Sequence, residues 1–270
     1  MSETFKQQIF VAACPNFFPA TAFEMAKQLA AAYRKNICFL GICFGKKALD
    51  TPAYENAFSA WVDEHKAECP QEVGLTYKVM APQEDFTETI EATEASMLIF
   101  ELNEKERPFN NVQKLLDISR SLRIPYFFVR EGQEIAFNRI LVPVGFLLEE
   151  REKGPFSNSF GLFFDAEILL MPAKDYGSKA RQNTDAIRTV IEKSDIKYQE
   201  ITATKDSFKV ELEAAQLAPS IGASLLMISA SRDYGLDDIL FGPKERKVIN
   251  QSAVPVMVIN PRGDLYALCG

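Results

Sequence analysis

The sequence predicts an α/β protein with two tandem domains, each built on a five-stranded parallel sheet. The chain repeats itself: ASMLIFEL from Ala95 and ASLLMISA from Ala223 are nearly the same strand, and a proline-headed strand, IPYFFV or VPVMVI, follows each about thirty residues later. Short apolar runs alternate with helix-like segments, which is typical of βαβ units. At 270 residues the chain is long for one core and suits two domains of about 130 residues.

The two halves open on matched strands, QIFVAA from Gln8 and RILVPV from Arg139. Residues 131–138 follow a strand, contain a glycine and several polar groups, and precede the next opening strand. We therefore interpret them as the connection between the halves. The sequence predicts one domain at residues 1–136 and a second at residues 137–270.

In the first half, near-continuous apolar strands such as ICFLGIC and PYFFV are expected where helices cover both faces of a sheet. Ala22, Met25 and Leu29 recur at helical spacing, so the first helix has one apolar stripe toward the sheet. An acidic helix is expected after Pro82, and Val112 to Leu122 mark a fourth helix. The other predicted elements are strands near 8–14, 37–43, 74–80, 95–102 and 125–129 and helices near 19–35 and 52–68.

The second half repeats this order. A turn signal at Gly154-Pro155 precedes only two turns of apolar spacing, so we expect its first helix to be short. The predicted elements are strands near 139–145, 166–172, 197–203, 223–230 and 255–259 and helices near 155–164, 178–193, 206–221 and 243–252.

The charge argues against a nucleic-acid partner. The net charge is −7, and acidic residues outnumber basic ones in both halves, 19 to 14 over residues 1–135 and 18 to 16 over the remainder. Neither half therefore offers a basic face to phosphate backbones. No apolar run approaches the roughly 20 residues of a membrane helix, and the first residues lack the pattern of a secretory signal. We expect a cytoplasmic protein with no membrane partner.

The cysteines and the single histidine predict no metal site. The five cysteines lack zinc spacing, and we interpret them as reduced thiols. Cys14 and Cys43 are both expected at the carboxyl ends of neighbouring strands, so a thiol redox switch between them is one alternative function. His65 is the only histidine and lies in a predicted helix, so we assign it a structural or surface role. No catalytic residues are assigned.

The segment ASLLMISASRDYGLDDILFGPKERKVINQSAVPVMVI, from Ala223, resembles the carboxyl-terminal part of universal stress protein domains. That family shows a strand, then Gly, two residues, Gly, nine residues, Gly with Ser or Thr, a helix, and a last strand Pro-Val-x-Val. Gly242 stands at the third glycine and Gly235 at a further loop glycine, whereas Ser229 and Arg232 replace the first two. The resemblance implies the adenine nucleotide alpha hydrolase-like fold over essentially the whole chain.

The nucleotide motif of that family is degenerate here. Gly145 and Cys14 stand where the family has the aspartate that holds adenosine, and Glu101 and Glu104 stand near glycine positions in the first half. Phosphate sites of this kind expose backbone N–H groups at a helix amino end. Pro243 removes a hydroxyl and an N–H there, and Glu245 adds repulsion. The resemblance leaves one nucleotide-binding alternative, in which the second domain holds ATP or AMP through Gly235, Gly242, Arg232 and Lys244.

The resemblance implies a non-catalytic protein of stress adaptation that acts through protein contacts or a small ligand, with no cofactor expected. In the family the last strand commonly pairs two domains, and an exposed apolar edge strand invites aggregation. We therefore predict that the two domains pair within the chain through IPYFFV and VPVMVI. Further association into a homodimer is left open.

Overall fold

The computed structural model of the protein describes residues 6–42, 51–80, 85–231 and 243–262. It divides into two compact units, Met1–Gly132 and Gln133–Gly270. Each unit contributes five parallel strands with helices between them, so the predicted α/β class and its repeated parallel architecture are confirmed.

The first unit has the strand order β3-β2-β1-β4-β5. Its first strand is central, and Val11 pairs with Phe39 on one side and Ile99 on the other. The strands are β1 Gln8–Ala13, β2 Asn36–Gly41, β3 Leu75–Val79, β4 Ala95–Leu102 and β5 Tyr126–Arg130. The helices are α1 Ala20–Tyr33, α2 Thr51–His65, α3 Phe86–Glu91 and α4 Val112–Ser119, with a 3-10 turn at Lys66–Glu68.

The second unit repeats this arrangement with the order β10-β9-β6-β7-β8. Leu141 pairs with Leu169 on one side and Leu226 on the other, as Val11 does in the first unit. The strands are β6 Arg139–Val144, β7 Glu167–Pro172, β8 Tyr198–Glu200, β9 Leu225–Ser229 and β10 Val256–Ile259. The helices are α5 Lys153–Phe164, α6 Lys179–Glu192, α7 Val210–Leu217 and α8 Lys244–Gln251, with a 3-10 segment at Leu148–Glu152.

The strand order sets the place of a ligand site in each unit. The chain runs from β1 outward to β2 and later returns to the other side of β1 with β4, and β6 has the same relation to β7 and β9. Sheets of this kind bind ligands outside the carboxyl ends of the strands where the order reverses. The relevant edges are therefore those after β1 and β4 in the first unit and after β6 and β9 in the second.

The apolar stripe predicted for α1 is buried as expected, with Ala22, Met25 and Leu29 all inaccessible to solvent. Beside it the first unit has an aromatic cluster. Trp61 of α2 packs edge-on against Phe18, with ring centroids 5.3 Å apart, and stacks on Phe58 at 4.9 Å. Because Trp61 is the only tryptophan in the sequence, its fluorescence reports on the first unit alone.

The first helix of the second unit ends at Phe164 as the sequence predicts, but it begins at Lys153, before the expected turn. Gly154 and Pro155 do not precede α5 but lie in its first turn, and the helix runs for 12 residues from Lys153. Proline is compatible with this turn because the first N–H groups of a helix need no intrahelical acceptor. Two other elements are shorter than expected, since β8 has three residues and α7 begins at Val210.

Candidate functional site

Most of the predicted nucleotide-binding residues, Gly235, Gly242 and Arg232, lie outside the described residues, as does Cys43. Lys244 is described and is the first residue of α8. Its ammonium nitrogen lies 3.0 Å from Glu211 Oε2, in an ion pair with a buried carboxylate of α7. The one described member of the predicted set is therefore already engaged by the chain itself.

Glu211 belongs to a buried chain of alternating charges in the second unit. Lys153, which is completely inaccessible to solvent, has its Nζ 2.7 Å from Glu150 Oε2 and 3.6 Å from Glu211 Oε1. Lys153 Nζ also donates to the carbonyl oxygen of Pro143 at 2.6 Å. We call the four side chains the buried ion chain, and in order they are Glu150, Lys153, Glu211 and Lys244.

The ion chain favours the charged forms of Glu211 and Lys244. Burial alone would raise the pKa of Glu211, but the ammonium groups of Lys244 and Lys153 outweigh burial and lower it. Burial alone would lower the pKa of Lys244, but the surrounding carboxylates, first that of Glu211, raise it. The positive charge of Lys244 is therefore largely compensated before any external anion approaches.

At the edge after β6, the backbone of Gly145 is enclosed by side chains. A Cβ added at Gly145 would lie 3.2 Å from Ser207 Oγ, so the adenosine-binding aspartate that the resemblance would place here has no room unless Ser207 moves. The Gly145 N–H donates to Glu150 Oε2 at 3.1 Å. Asn183 adds a hydrogen bond to the Gly145 carbonyl oxygen at 3.0 Å. Both polar groups of the Gly145 backbone thus have internal partners.

At the edge after β9, two of the backbone donors that the structure describes are also bonded to internal carboxylates. The Ser229 N–H donates to Glu211 Oε1 at 3.1 Å, and the Ser231 N–H donates to Glu245 Oε1. Glu245 is nearly inaccessible to solvent, and burial raises the pKa of its carboxyl group. From the sequence, Glu245 was expected only to repel a phosphate, but its carboxylate also occupies a backbone donor that a phosphate would use.

The first unit instead has an open cleft at the edge after β1, β4 and β5. Its volume is about 500 Å³, within the range of small-molecule sites. Its walls come from the turn after β1, the loop after β4, and the end of β5. The lining residues are Asn16, Phe17, Leu102, Asn103, Glu104, Lys105, Glu106, Arg130 and Glu131, and we call this space the first-unit cleft.

In the loop after β4 and at the start of α4, asparagine side chains occupy backbone donors that a phosphate would use. Asn103 Oδ1 accepts from the N–H groups of Lys105 at 2.8 Å and Glu106 at 3.2 Å. At the start of α4, Asn111 Oδ1 accepts from the Lys114 N–H at 3.2 Å. The sequence shows no glycine loop in the first half. In its place the structure has a turn whose N–H groups are bonded to asparagine side chains.

Glu101 of β4 is buried next in sequence to Leu102, which lines the first-unit cleft, and its side chain caps α1. Its Oε2 accepts from the Ala22 N–H at 2.8 Å, in a helix that has no capping side chain of its own. Burial raises the pKa of Glu101 from its ordinary value of 4.5 to about 7, even though hydrogen bonds from Ala22 and Thr21 favour the charged form. The negative charge of Glu131, which lines the cleft, raises it further.

Cys14 is a poor candidate for redox chemistry. Burial, and then the carboxylate of Glu106, raise the pKa of its thiol to about 11, so the reactive thiolate is scarce at neutral pH. Its sulfur lies 3.9 Å from Glu106 Oε2, whose negative charge disfavours the thiolate. This environment is opposite to the electropositive one that activates cysteines.

The single histidine has a packing role. The His65 ring stacks on Phe18 with centroids 4.2 Å apart, and its Nδ1 lies 2.7 Å from Glu68 Oε1. Within the described ranges, no group of three or more His, Cys, Asp and Glu side chains is placed to hold a metal ion. Over the same part of the chain, no helix is long and apolar enough to cross a membrane.

Comparison with protein-family models finds no match, and no curated protein matches the sequence. Solved structures do share the fold. A protein of unknown function from Pseudomonas aeruginosa PAO1 matches with a TM-score of 0.66 and 15% identity, over 97% of this chain and 94% of that chain. A universal stress protein from Archaeoglobus fulgidus DSM 4304 matches with a TM-score of 0.65 and 15% identity, over 97% of this chain and 100% of that chain.

A third match has a different setting. The cytoplasmic domain of a prokaryotic cation chloride cotransporter has a TM-score of 0.53 and 12% identity, over 94% of this chain and 95% of that chain. At these identities the likeness shows the fold alone. The protein has the fold of universal stress proteins along nearly its whole length, so the predicted resemblance is confirmed for the architecture. Function cannot be inferred from the fold and has to be argued from a site.

Sequence reasoning missed the first-unit cleft because it looked for glycines. The signal that was present is the polar run Asn103 to Arg107 directly after the apolar strand β4. Polar side chains at the carboxyl end of a strand beside the reversal point line a ligand edge whether or not a phosphate motif is present.

Replacing Lys153 by methionine should destabilise the second unit by about 3–5 kcal/mol, because it leaves two buried carboxylates without their shared cation. The free energy of unfolding is measured by urea titration followed by circular dichroism. The matched control is Lys197→Met, since Lys197 is exposed and pairs with Asp165 at 3.4 Å at the surface, so its loss should cost under about 1 kcal/mol. Equal costs for both variants would contradict the structural role of the ion chain.

The stability of the first unit should fall as pH rises through the titration of Glu101. The folded protein holds this proton up to about pH 7, whereas the unfolded chain releases it near 4.5, so folding becomes less favourable between these values by up to about 3 kcal/mol. The measurement is urea unfolding from pH 4.5 to 8, followed by Trp61 fluorescence. Glu101→Gln should flatten this dependence, and Glu72→Gln, at an exposed site, should not. Parallel curves for wild type and Glu101→Gln would refute the assignment.

Mild oxidation of the native protein should not link Cys14 to Cys43, because the Cys14 thiol is buried and protonated at neutral pH. Peptide mass spectrometry after diamide treatment detects the linkage. The control is the same oxidation in guanidinium chloride, where both thiols are exposed. A linked peptide from the native sample would revive the redox alternative.

Proposed function

We propose that the protein is a non-catalytic cytoplasmic tandem protein of the universal stress type, which serves stress adaptation by binding a small amine-bearing ligand in the first-unit cleft. The observation that carries this proposal is the contrast between the two ligand edges. At the edges after β6 and β9, the N–H groups of Gly145 and Ser229 are bonded to the chain's own carboxylates, whereas the edge after β1 and β4 holds a cleft of about 500 Å³.

The charge of the cleft favours a cationic group on the ligand. Three carboxylates line it, those of Glu104, Glu106 and Glu131, against two cations, Lys105 and Arg130. A triphosphate would meet this excess of negative charge. It would also find the nearest backbone donors, at Lys105 and Glu106, already bonded to Asn103.

The remaining walls suit a small zwitterion. Lys105 and Arg130 supply positive charge to which a ligand carboxylate can bind. Asn16 contributes an amide, and Phe17 an apolar surface for a short aliphatic chain. An ammonium or guanidinium group on one end and a carboxylate on the other would match both kinds of charge in this cleft.

Nucleotide binding by the second unit stays the alternative. It would use Lys244, with Gly235, Gly242 and Arg232 of the segment outside the described residues. The pairing of Lys244 with Glu211 at 3.0 Å speaks against it, because an anion would have to displace a neighbour that is also bonded to Ser229. We therefore propose that the second unit needs no nucleotide.

We also propose that the two units pair within the chain through their last strands. The sequences of β5 and β10, YFFVR and VMVI, are almost entirely apolar, and each strand ends its own unit's order. Such strands invite aggregation unless something covers them.

Isothermal titration calorimetry tests the ligand proposal, with lysine, arginine and putrescine as amine probes and Mg·ATP and AMP as nucleotide probes. At least one amine should bind with a dissociation constant in or below the low millimolar range. The double variant Glu106→Gln, Glu131→Gln should weaken that binding at least about tenfold, since it removes two of the charges that attract the amine. The matched control Glu72→Gln, far from the cleft lining, should leave it unchanged.

A dissociation constant for ATP below about 50 µM would reverse the ranking in favour of the nucleotide alternative. Amine binding that survives the double variant unchanged would show that the ligand does not use the first-unit cleft. Failure of all three amines would reject the proposed ligand class.

A further inference from the structure

Two carboxylates on one face of the first-unit sheet connect the first-unit cleft to the interior. Glu101 is paired with Val129 in the register of β4 and β5. Side chains of paired residues in parallel strands lie on the same face of a sheet, and the residue two positions further along points to that face again. Glu131 stands two residues after Val129 and lines the cleft, and its charge does act on Glu101.

The surroundings of Glu101 stabilise a negative charge poorly. The residue is 1% exposed, and its Oε2 accepts from the Ala22 N–H at 2.8 Å. Its other oxygen, Oε1, is buried and has no hydrogen-bond partner within the part of the chain that the structure describes. A buried carboxylate oxygen that accepts no hydrogen bond loses the hydration it would have at the surface. The site therefore favours a proton on Glu101.

The residues that the neighbouring elements place next to Glu101 are uncharged. Val129 lies beside it on β5, and β1 ends at Ala13 on its other side. The first turn of α1 presents the N–H groups of Thr21 and Ala22. These neighbours carry no charge that would change when a ligand binds.

The charges at this end of the sheet belong to the cleft. Burial, and after it the charge of Glu131, raise the pKa of Glu101 to about 7. Arg130 precedes Glu131 and, by the alternation of strand side chains, points to the opposite face. The Cys14 thiol, after β1, is protonated at neutral pH. The other charged residues that line the cleft are Glu104, Lys105 and Glu106, on the loop after β4.

Hydrogen bonds hold the cleft wall and the buried carboxyl at a fixed separation. The Gly132 N–H, directly after Glu131, donates to Thr21 Oγ1 at 3.0 Å. Thr21 is followed by Ala22, whose N–H is bound by Glu101. The wall residue Glu131 is therefore tied through the first turn of α1 to the carboxyl group that its charge affects.

We propose that a cation bound in the first-unit cleft releases the proton of Glu101. This inference rests on the proposed amine ligand and adds its regulation. The ammonium group of the ligand offsets the negative charge of Glu131, which otherwise favours the protonated form of Glu101. The O–H bond of the Glu101 carboxyl group then breaks, its electron pair stays on the carboxylate, and the proton passes to the buffer.

This coupling makes the affinity of the cleft depend on pH. Below about pH 7 the empty protein holds the Glu101 proton, so binding has to release it, whereas at higher pH the proton has already left. The amine therefore binds more tightly as the pH rises through neutrality. The side chains of lysine and arginine stay charged over this range, so the ligand itself does not cause the change.

Calorimetry in two buffers counts the released proton. The amine that binds best among lysine, arginine and putrescine is titrated at pH 7 in phosphate and in HEPES, whose ionisation enthalpies differ. Wild type should release about 0.3–0.5 proton per ligand, because about half of the molecules hold the Glu101 proton at this pH. Between pH 5.5 and 8 the affinity should rise at least about threefold.

Glu101→Gln is the matched variant, because its amide oxygen can still accept from the Ala22 N–H although it has no proton to release. It should bind the amine without proton exchange. Glu72→Gln, at an exposed site, should behave as wild type.

A measurement without ligand covers the case in which Glu101→Gln does not fold. Glu131→Gln removes the charge that the ligand offsets, so it should lower the pKa of Glu101. The loss of first-unit stability with rising pH, followed by Trp61 fluorescence in urea, should then be complete at a lower pH than in wild type. Glu72→Gln should leave that curve in place.

The outcomes separate this inference from the proposed ligand. Amine binding without proton release, or equal release by wild type and Glu101→Gln, would overturn the coupling and leave the ligand proposal standing. An unchanged pH dependence of stability in Glu131→Gln would overturn the coupling as well. Failure of all three amines to bind would instead reject the proposed function, and the coupling with it.

Discussion

At the ligand edges of this fold, backbone N–H groups donate to side-chain oxygens of the same chain, and this constraint limits which ligands the edges can bind. In the second unit Gly145 donates to Glu150 and Ser229 donates to Glu211, and in the first unit Glu106 donates to Asn103. Backbone donors at these edges are what a nucleotide-binding protein offers to phosphates. Once an internal oxygen accepts from them, these N–H groups are no longer free to bind a phosphate, although the architecture of the fold is kept.

In both units internal acceptors occupy these backbone N–H groups. The charged groups that the two units bury differ, although their strand orders repeat. The first unit buries Glu101 near the negative charge of Glu131, and both burial and that charge raise the pKa of Glu101. Among its described residues, the second unit buries three glutamates and pairs two of them, Glu150 and Glu211, with Lys153 and Lys244, which lower the pKa of Glu211. A single buried acid makes folding sensitive to pH near neutrality, whereas a compensated chain is sensitive to loss of any one member. Repetition of the backbone did not require repetition of the charge pattern.

The sequence was sufficient for the architecture because apolar runs such as ASMLIFEL at Ala95 depend on local pattern alone. It misplaced the start of α5, because Gly154-Pro155 is compatible both with a turn before a helix and with the first turn of the helix itself. It could not distinguish the roles of Glu101 and Glu106, which lie close together in the sequence. Glu101 caps α1, whereas Glu106 lines the first-unit cleft. Glu211 is far from Lys153 in sequence, so the ion chain had no local signature.

The placement of Glu211 against Lys244 bears on how the second unit would respond to changing metabolite levels. A counter-ion built into the chain acts at an effective concentration set by geometry rather than by the contents of the cell. If the second unit needs no nucleotide, as we propose, depletion of free anions withdraws no stabilisation from this half of the molecule. Its folded population would then stay constant through changes in energy supply that would unfold a protein dependent on its nucleotide.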